Sequence, residues 1–384
     1  MAGLHPTVDP DGLLEFSVVY TDRALNHMSQ RFQGVMRSLH ASLTSTYHAA
    51  SAVIVPGSGT FGMEAVARQF ANQQSVLVVR NGWFSYRWTQ ILDAGGIASH
   101  STVCMARPQS DDAQAAWAPC PIDEVTQAIR TQRPAVVFAP HVETSAGMLL
   151  PHDYLSQLAQ ATHEVGGLLV LDCIASGALW VNMQALGVDV LITAPQKGWS
   201  ASPACAMVML SERALQTLES TNSSSFACDL KRWHGIMQAY LNGGHAYHTT
   251  MPTDALVTLN QTMDEMHAYG YDKVQSEQWA LGHMVRELLA ERGFASVAAA
   301  GYEAPGVVVC HTTDPDLHNG KKFMQAGLQT AAGVPLQCQE PASFRTFRIG
   351  LFGLDKLHQP QRAVAQLAAA LDTIGYPAAH ATTV

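Results

Sequence analysis

The sequence predicts an α/β protein with a mostly parallel sheet, and three observations support this prediction. Between residues 46 and 210, short runs rich in Val, Leu and Ile alternate with helical patterns. The runs are apolar at nearly every position, which is typical of strands covered on both faces. After residue 210 the helical patterns lengthen and the strands shorten, which predicts a smaller α+β domain at the C-terminal end.

The predicted elements follow one another along the chain. Strands are expected at residues 52–55, 76–79, 135–139, 167–171, 188–193 and 206–210, with helices at residues 63–72, 122–132 and 152–165. Further on, Pro252, Thr253 and Asp254 form a helix-start signal, and Gly293 is a plausible stop. Strands at 307–310 and 346–352 and a helix at 361–374 complete the chain. We predict a large domain over residues 1–255 and a linking helix with a small domain over residues 256–384.

Composition narrows the classes of function. The chain has 384 residues, is 47% hydrophobic and has a net charge of −9, with no run of Lys or Arg longer than a pair. A nucleic-acid-binding face or a basic membrane-binding patch is therefore not expected. Apolar stretches end well before the ~18 residues that a membrane span needs. Seven cysteines without a CxxC pair, and no signal-peptide pattern, predict a cytoplasmic protein.

A glycine-rich segment, residues 57–62, follows the first predicted strand and opens a helix. Glycines allow a close approach to the backbone, and a helix N-terminus offers free N–H groups, so this place suits a phosphate. The segment also fits the GxGxxG pattern of dinucleotide-binding proteins, but Val79, Arg80 and Asn81 stand where that site wants an acid. A phosphate-binding loop is predicted, with a plain tight turn as the alternative.

Two further residues have positions that suit catalysis. Asp172 closes the apolar run 167–171, at the strand end where ligands of α/β sheets bind, although a helix cap or turn is the other interpretation. Lys197 lies in a short turn between two apolar runs, where partial desolvation favours the neutral, nucleophilic amine. A solvated lysine on a surface turn is the alternative interpretation. A shielded lysine, a strand-end acid and a phosphate loop together are what pyridoxal phosphate requires.

Several motifs carry a resemblance to a known family. They are Gly57-Ser58-Gly59-Thr60, Asn81-Gly82-Trp83-Phe84 with Arg87, His141-Val142-Glu143-Thr144-Ser145, Asp172-Cys173-Ile174, Gln196-Lys197-Gly198, Tyr247-His248-Thr249-Thr250 and Arg348-Ile349-Gly350. In these motifs the chain resembles the class V aminotransferases, which are pyridoxal-phosphate enzymes of fold type I. The resemblance is strongest to the branch of alanine/serine–glyoxylate and 2-aminoethylphosphonate–pyruvate transaminases. It covers roughly residues 46 to 355.

The resemblance implies a role for each matching residue. Lys197 would be the Schiff-base lysine and proton shuttle, and Asp172 the partner of the pyridinium nitrogen. Phe84 and Ile174 would pack on the two faces of the ring, and Thr144 would bond its hydroxyl. The phosphate would be held by Ser58, Gly59, Thr60 and Gln196 and, across an obligate homodimer, by Tyr247 and Thr250 of the neighbouring subunit. Arg348 would clamp the substrate carboxylate.

The alternatives concern the substrate side and the reaction class. The usual Gly-Pro-rich N-terminal loop is replaced by residues 18–24, where Arg23 either recognises a second anionic group or forms a surface salt bridge. His245 and His248 have metal-like spacing but no third ligand nearby, so no metal is predicted. A lyase or cysteine desulfurase would need a reactive cysteine, for which Cys338 is the candidate, with a buried structural cysteine as the other interpretation.

These observations predict a homodimeric transaminase. A small amino donor such as alanine, serine or 2-aminoethylphosphonate would pass its amino group to glyoxylate or pyruvate through pyridoxal 5'-phosphate. The competing interpretations are a lyase or desulfurase with the same cofactor, and a nucleotide-binding oxidoreductase. The last needs only the glycine-rich loop and leaves Lys197 without a role.

Overall fold

The computed structural model describes residues 13–377, which fold into alternating helices and strands. The helices are α1 (Gln30–Tyr47), α2 (Gly59–Phe70), α3 (Trp83–Ala94), α4 (Ile122–Gln132), α5 (His152–Glu164), α6 (Met183–Leu186), α7 (Glu212–Ser220), α8 (Leu230–Leu241), α9 (Thr253–Tyr269), α10 (Tyr271–Glu291), α11 (Pro315–His318), α12 (Lys321–Gln325), α13 (Leu354–His358) and α14 (Pro360–Thr373). The strands are β1 (Ser51–Pro56), β2 (Ser75–Arg80), β3 (His100–Met105), β4 (Arg107–Pro108), β5 (Trp117–Ala118), β6 (Val136–Pro140), β7 (Val142–Glu143), β8 (Met148–Leu149), β9 (Leu168–Asp172), β10 (Val190–Thr193), β11 (Cys205–Leu210), β12 (Val307–His311), β13 (Ala331–Ala332) and β14 (Thr346–Gly350).

The main sheet has seven strands in the order β1-β11-β10-β9-β6-β2-β3. The pairs β10–β9, β9–β6, β6–β2 and β2–β3 are parallel. Strand β11 alone runs against its two neighbours, so β1 points the same way as the parallel strands. The predicted α/β class with a mostly parallel sheet is confirmed, and the parallel strands end at one common edge.

The predicted strands of this sheet agree with the structure to within two residues at each end. Their side chains are buried because helices cover both faces, as in β6, where all five residues are buried. The sequence analysis did not identify β3, whose positions are mostly half-exposed because it lies at the sheet edge. Helix α2 begins at Gly59, four residues earlier than predicted, because apolar periodicity becomes visible only after its glycine-rich first turn.

The C-terminal part has its own three-stranded antiparallel sheet, in the order β12-β14-β13. Two long helices, α9 and α10, precede it, and α9 begins at the predicted Thr253. Gly293 lies just beyond the end of α10 with a φ of 81°, which agrees with its prediction as a helix stop. The boundary at residue 255 falls inside α9 and stays a prediction. Within residues 13–377, no helix has the length and apolarity to cross a membrane.

Candidate active site

A cavity lies at the edge where the parallel strands end. The loops that follow β1, β2, β6, β9 and β10 line it, because parallel strands deliver their C-terminal ends to the same edge. Nine of the twelve predicted site residues line this cavity: Ser58, Gly59, Thr60, Phe84, Thr144, Asp172, Ile174, Gln196 and Lys197. The tertiary structure thus brings together residues that are up to 139 positions apart in the sequence.

Lys197 lies in the loop between β10 and β11. The buried side chain of Trp199 anchors this loop. Trp199 is fully buried and packs against Trp180 at a ring-centroid distance of 4.8 Å. A Cβ on Gly198 would lie 2.2 Å from the carbonyl oxygen of Gly177, so only glycine allows the two loops to approach. Burial lowers the pKa of Lys197, and the neighbouring arginines lower it further, which increases the fraction of neutral, nucleophilic amine.

Asp172 ends the central strand β9 and is buried. Its Oδ1 accepts a hydrogen bond of 2.9 Å from the backbone N–H of Ile174, which orients the carboxylate. Burial raises the pKa of Asp172 to about 6, while the Ile174 N–H and the Lys197 ammonium oppose this rise. A buried carboxyl group with a raised pKa is a partner suited to a protonated ring nitrogen, because the cation would offset the cost of desolvation.

The N-terminus of α2 is suited to holding a phosphate. Its first turn has no side-chain cap, which leaves backbone N–H groups open to a ligand. Arg87 Nη1 donates to Thr60 Oγ1 at 3.1 Å, so a cation stands beside this turn. The side-chain oxygen of Gln196 is buried without a partner, and rotation of that amide would present its N–H donors instead. These groups fit a dianionic phosphate.

Phe84 is positioned by a buried carboxylate. Glu143 is fully buried and accepts hydrogen bonds from the backbone N–H of Phe84 at 3.2 Å and of Ser85 at 2.8 Å, at the start of α3. It also accepts from the hydroxyl groups of Ser85 and Ser145, each at 2.7 Å. A negative charge at a helix N-terminus is favourable. Glu143 therefore fixes the helix start that presents the Phe84 ring to the cavity.

Three basic side chains surround the Phe84 ring. The guanidinium carbon of Arg87 lies 5.1 Å from the ring centroid and that of Arg348 lies 5.6 Å from it, while Lys197 Nζ is 6.0 Å away. Arg348 comes from β14, and its Nε donates to the carbonyl oxygen of Ala332 at 2.8 Å. Burial lowers the pKa of Arg348, yet a guanidinium stays charged at neutral pH. The cavity is therefore suited to anionic ligands.

Tyr247 and Thr250 do not line the cavity. Both are exposed, and their hydroxyl groups are 3.0 Å apart in a hydrogen bond. Tyr247 instead borders a separate surface pocket together with His248. Arg23 is also outside the lining of the cavity. A single chain thus assembles the lysine, the acid and the phosphate turn, but not every predicted contact.

The sequence analysis gave no individual role to Arg87, Glu143 or Ser145, although all three lie in its motifs. An acid three residues beyond the buried strand β6 was the signal available for Glu143. His141, the first residue of its motif, was also given no role: its Nδ1 and the hydroxyl group of Ser176 are 2.8 Å apart in a hydrogen bond. Burial lowers the pKa of His141 to about 3, so its ring is neutral and orients the loop after Asp172 without charge.

The family model for class V aminotransferases matches residues 14–347 of the chain. This protein is a class V aminotransferase. A 2-aminoethylphosphonate–pyruvate transaminase of Burkholderia ambifaria (strain MC40-6) is 30% identical over 328 residues, which are 84% of this chain and 83% of the relative. A second transaminase with that activity in its name, from Burkholderia lata, is 29% identical over 90% of each chain. The predicted family and the predicted transaminase activity are confirmed.

Solved structures agree on the fold of this aminotransferase. Pyridoxamine–pyruvate aminotransferase from Mesorhizobium loti superposes with a TM-score of 0.77 at 18% identity, covering 92% of this chain and 88% of that one. Alanine–glyoxylate aminotransferase from Nostoc sp. gives a TM-score of 0.74 at 22% identity, covering 91% and 88%. At these identities the likeness concerns the fold alone, and it confirms fold type I.

Proposed function

We propose that this aminotransferase uses pyridoxal 5'-phosphate to move an amino group from a small donor to a small 2-oxo acid. The donor would be alanine, serine or 2-aminoethylphosphonate, and the acceptor glyoxylate or pyruvate. The observation that carries the proposal is one cavity that holds Lys197, Asp172 and the open first turn of α2. These groups match the aldehyde, the ring nitrogen and the phosphate of the cofactor. The relatives are named for 2-aminoethylphosphonate and pyruvate, which supports small substrates.

The residues of this chain would have separate roles in the reaction. When bound, the cofactor supplies an electron sink for charge that develops at the substrate α-carbon. Lys197 would hold the cofactor covalently and, once displaced by substrate, its neutral amine would carry the proton from the α-carbon to C4′. Asp172 would keep the ring nitrogen protonated. Arg348 would bind the anionic end of the substrate in a bidentate fork.

Other cavity residues would position the ring and the phosphate. Phe84 and Ile174 would lie on opposite ring faces, and Thr144 would bond the ring hydroxyl. A Cβ on Gly59 would lie 2.5 Å from Ile174 Cδ1, so the glycine leaves room for that side chain. The phosphate would lie at the first turn of α2, between Ser58, Thr60 and Gln196.

The test of the lysine is Lys197→Ala. Loss of activity is expected, together with loss of the visible absorbance of lysine-bound cofactor, because no other amine lines the cavity among the described residues. Lys321→Ala is a matched control, since that lysine forms only an exposed pair with Asp316 at 3.8 Å. Borohydride reduction followed by peptide mapping should label Lys197. An active and still-yellow Lys197→Ala variant would refute the assignment of Lys197 as the cofactor-binding lysine.

The donor can be identified by adding amino compounds one at a time to the purified enzyme. A true donor converts the visible absorbance to that of the pyridoxamine form without any acceptor present. Release of sulfide from L-cysteine without a 2-oxo acid would instead favour the desulfurase alternative. No observation favours it: Cys338 is buried, its Sγ donates to the carbonyl oxygen of Arg80, and burial raises its pKa to about 12.

We also propose that the enzyme is a homodimer with shared active sites. The support is the exposed position of Tyr247 and Thr250, outside the cavity of their own chain. Exposed apolar side chains support a buried interface as well: Leu13, Leu14, Phe16, Val18, Phe61 and Phe226. All seven cysteines are free, which supports the further proposal of a cytoplasmic location.

Subunit mixing tests the shared site. An inactive Lys197→Ala chain and a weakened chain with Tyr247→Ala and Thr250→Ala are denatured together and refolded. If Tyr247 serves the partner's cavity, a mixed dimer contains one intact site, and activity above that of either parent returns. If it serves its own chain, no site is intact and activity does not return. Sedimentation velocity of each variant confirms that dimers form.

A further inference from the structure

Two cysteines that the aminotransferase site does not use face a second cleft. The cleft has a volume of about 590 Å³, borders the edge strand β3, and is lined by Cys104 and Cys120. Its lining shares no residue with the catalytic cavity. Both thiols are free and line the cleft, with exposed fractions of 9% for Cys104 and 2% for Cys120.

The backbone brings the two cysteines together. Strands β4 and β5 form an antiparallel hairpin in which Arg107 pairs with Ala118. Cys104 precedes Arg107 by three residues and Cys120 follows Ala118 by two, so both lie at the open end of the hairpin. Cys104 is fixed in β3 opposite Val79 of β2. The carbonyl oxygen of Cys120 accepts a hydrogen bond of 2.8 Å from the Tyr154 hydroxyl group.

The two thiols differ in acidity because they interact directly. The interaction between the two thiols raises the pKa of Cys104 and lowers the pKa of Cys120. The guanidinium of Arg107 lowers the pKa of Cys120 further, although Glu124, paired with it at 2.6 Å, opposes this effect. A thiol that ionises readily beside a second thiol is the usual arrangement of redox-sensitive cysteines.

We propose that Cys104 and Cys120 are a redox-active dithiol, which a hydroperoxide such as hydrogen peroxide converts to an intramolecular disulfide. The Cys120 thiolate attacks the peroxide, the O–O bond breaks, and one oxygen leaves as hydroxide, which takes up a proton to give water. The resulting sulfenic acid is attacked by the sulfur of Cys104, the S–S bond forms, and the sulfenic oxygen leaves as a second water. Both sulfurs are oxidised and the peroxide is reduced.

The other cysteines lack this arrangement. Cys338 lines the same cleft, but its Sγ donates to the carbonyl oxygens of Arg80 at 3.4 Å and Leu336 at 3.7 Å. Burial raises the pKa of the four remaining cysteines, and none of them lines the cleft: Cys173, Cys205, Cys228 and Cys310. The proposed chemistry is therefore expected at Cys104 and Cys120 alone. A cytosolic disulfide of this kind is reversible, as redox-sensing disulfides are.

Mass spectrometry of the whole purified enzyme tests the proposal. The enzyme is treated with hydrogen peroxide under native conditions, its remaining thiols are alkylated, and it is digested without reductant. Trypsin does not cut between Arg107 and Pro108, so both cysteines stay in one peptide, residues 88–130. Cleavage before Asp111 and Asp112 then separates them unless a disulfide holds them together. The expected result is a linked pair, lighter by two hydrogen atoms and separated by dithiothreitol.

Two variants complete the experiment. Cys120→Ser should abolish the linked pair, whereas Cys310→Ser, in strand β12, should leave its yield unchanged. The wild-type measurement stands by itself if a variant does not fold. Three results would overturn the proposal: both thiols remain alkylatable after peroxide, either cysteine gains oxygen atoms without linking, or the disulfide joins Cys338 in place of Cys104.

Discussion

Replacing Glu143 by glutamine is expected to weaken the helix start that carries Phe84. The Glu143 side chain is fully buried, and its Oε1 accepts from the backbone N–H of Phe84 and from the N–H and hydroxyl group of Ser145. Its Oε2 accepts from the N–H and hydroxyl group of Ser85. Glutamine preserves the shape but replaces one acceptor by an NH₂ group, which cannot accept from a backbone N–H.

The magnitude follows from counting the orphaned donors. If the NH₂ group faces Ser85, the Ser85 N–H loses its acceptor, while the Ser85 hydroxyl can still donate to the carbonyl oxygen of Gly82. If it faces the other side, the N–H groups of Phe84 and Ser145 lose theirs. A hydrogen bond to a charged group contributes about 1.5–3 kcal/mol, so the free energy of unfolding should fall by roughly 1.5–3 kcal/mol if one N–H is orphaned and by roughly 3–6 kcal/mol if two are.

Urea unfolding followed by circular dichroism measures this change at a fixed protein concentration. Glu164→Gln is the control, because Glu164 forms an exposed ion pair with Arg130 at 2.9 Å, and such pairs contribute up to about 1 kcal/mol. The Glu143 variant should also bind pyridoxal phosphate more weakly, since the Phe84 ring is less well held. A loss as small as that of the control would show that Glu143 does not stabilise this helix start.

Two further predictions concern a glycine and the strand-end acid. A Cβ on Gly82 would lie 2.0 Å from Ser145 Oγ, so Gly82→Ala should lower the free energy of unfolding by about 1–3 kcal/mol. Gly34→Ala, in α1 with no atom within 4 Å of the added Cβ, should raise it by about 0.5–1 kcal/mol; equal thermal shifts at both sites would contradict the packing argument. The raised pKa of Asp172, about 6 against 3.8, means that the folded cofactor-free protein binds a proton that the unfolded chain has released. Between about pH 4 and about pH 6 the stability of the wild type should therefore fall by about 3 kcal/mol relative to that of Asp172→Asn; parallel pH curves for the two proteins would contradict the raised pKa.

Local signals were sufficient for much of the site. Lys197, Asp172 and the first turn of α2 could be predicted because each lies directly after a strong apolar run, and strand ends are where ligands of such sheets bind. The role of Glu143 was harder to predict from the sequence, because it depends on the backbone N–H groups of Phe84 and Ser85, which are about 58 positions away in the sequence. No local pattern records which distant donors a buried carboxylate will meet.

The sequence by itself determined the α/β class, most strands of the main sheet, the family, and the residue types of the cavity, because these depend on periodicity and on motifs a few residues long. Only the tertiary structure decided which strand is antiparallel, that Arg87 donates a hydrogen bond to Thr60, and that Cys104 and Cys120 line one cleft. It also showed Tyr247 lying outside the cavity of its own chain. These facts depend on contacts between distant segments, and burial in those contacts is what shifts the pKa values of Asp172 and Lys197.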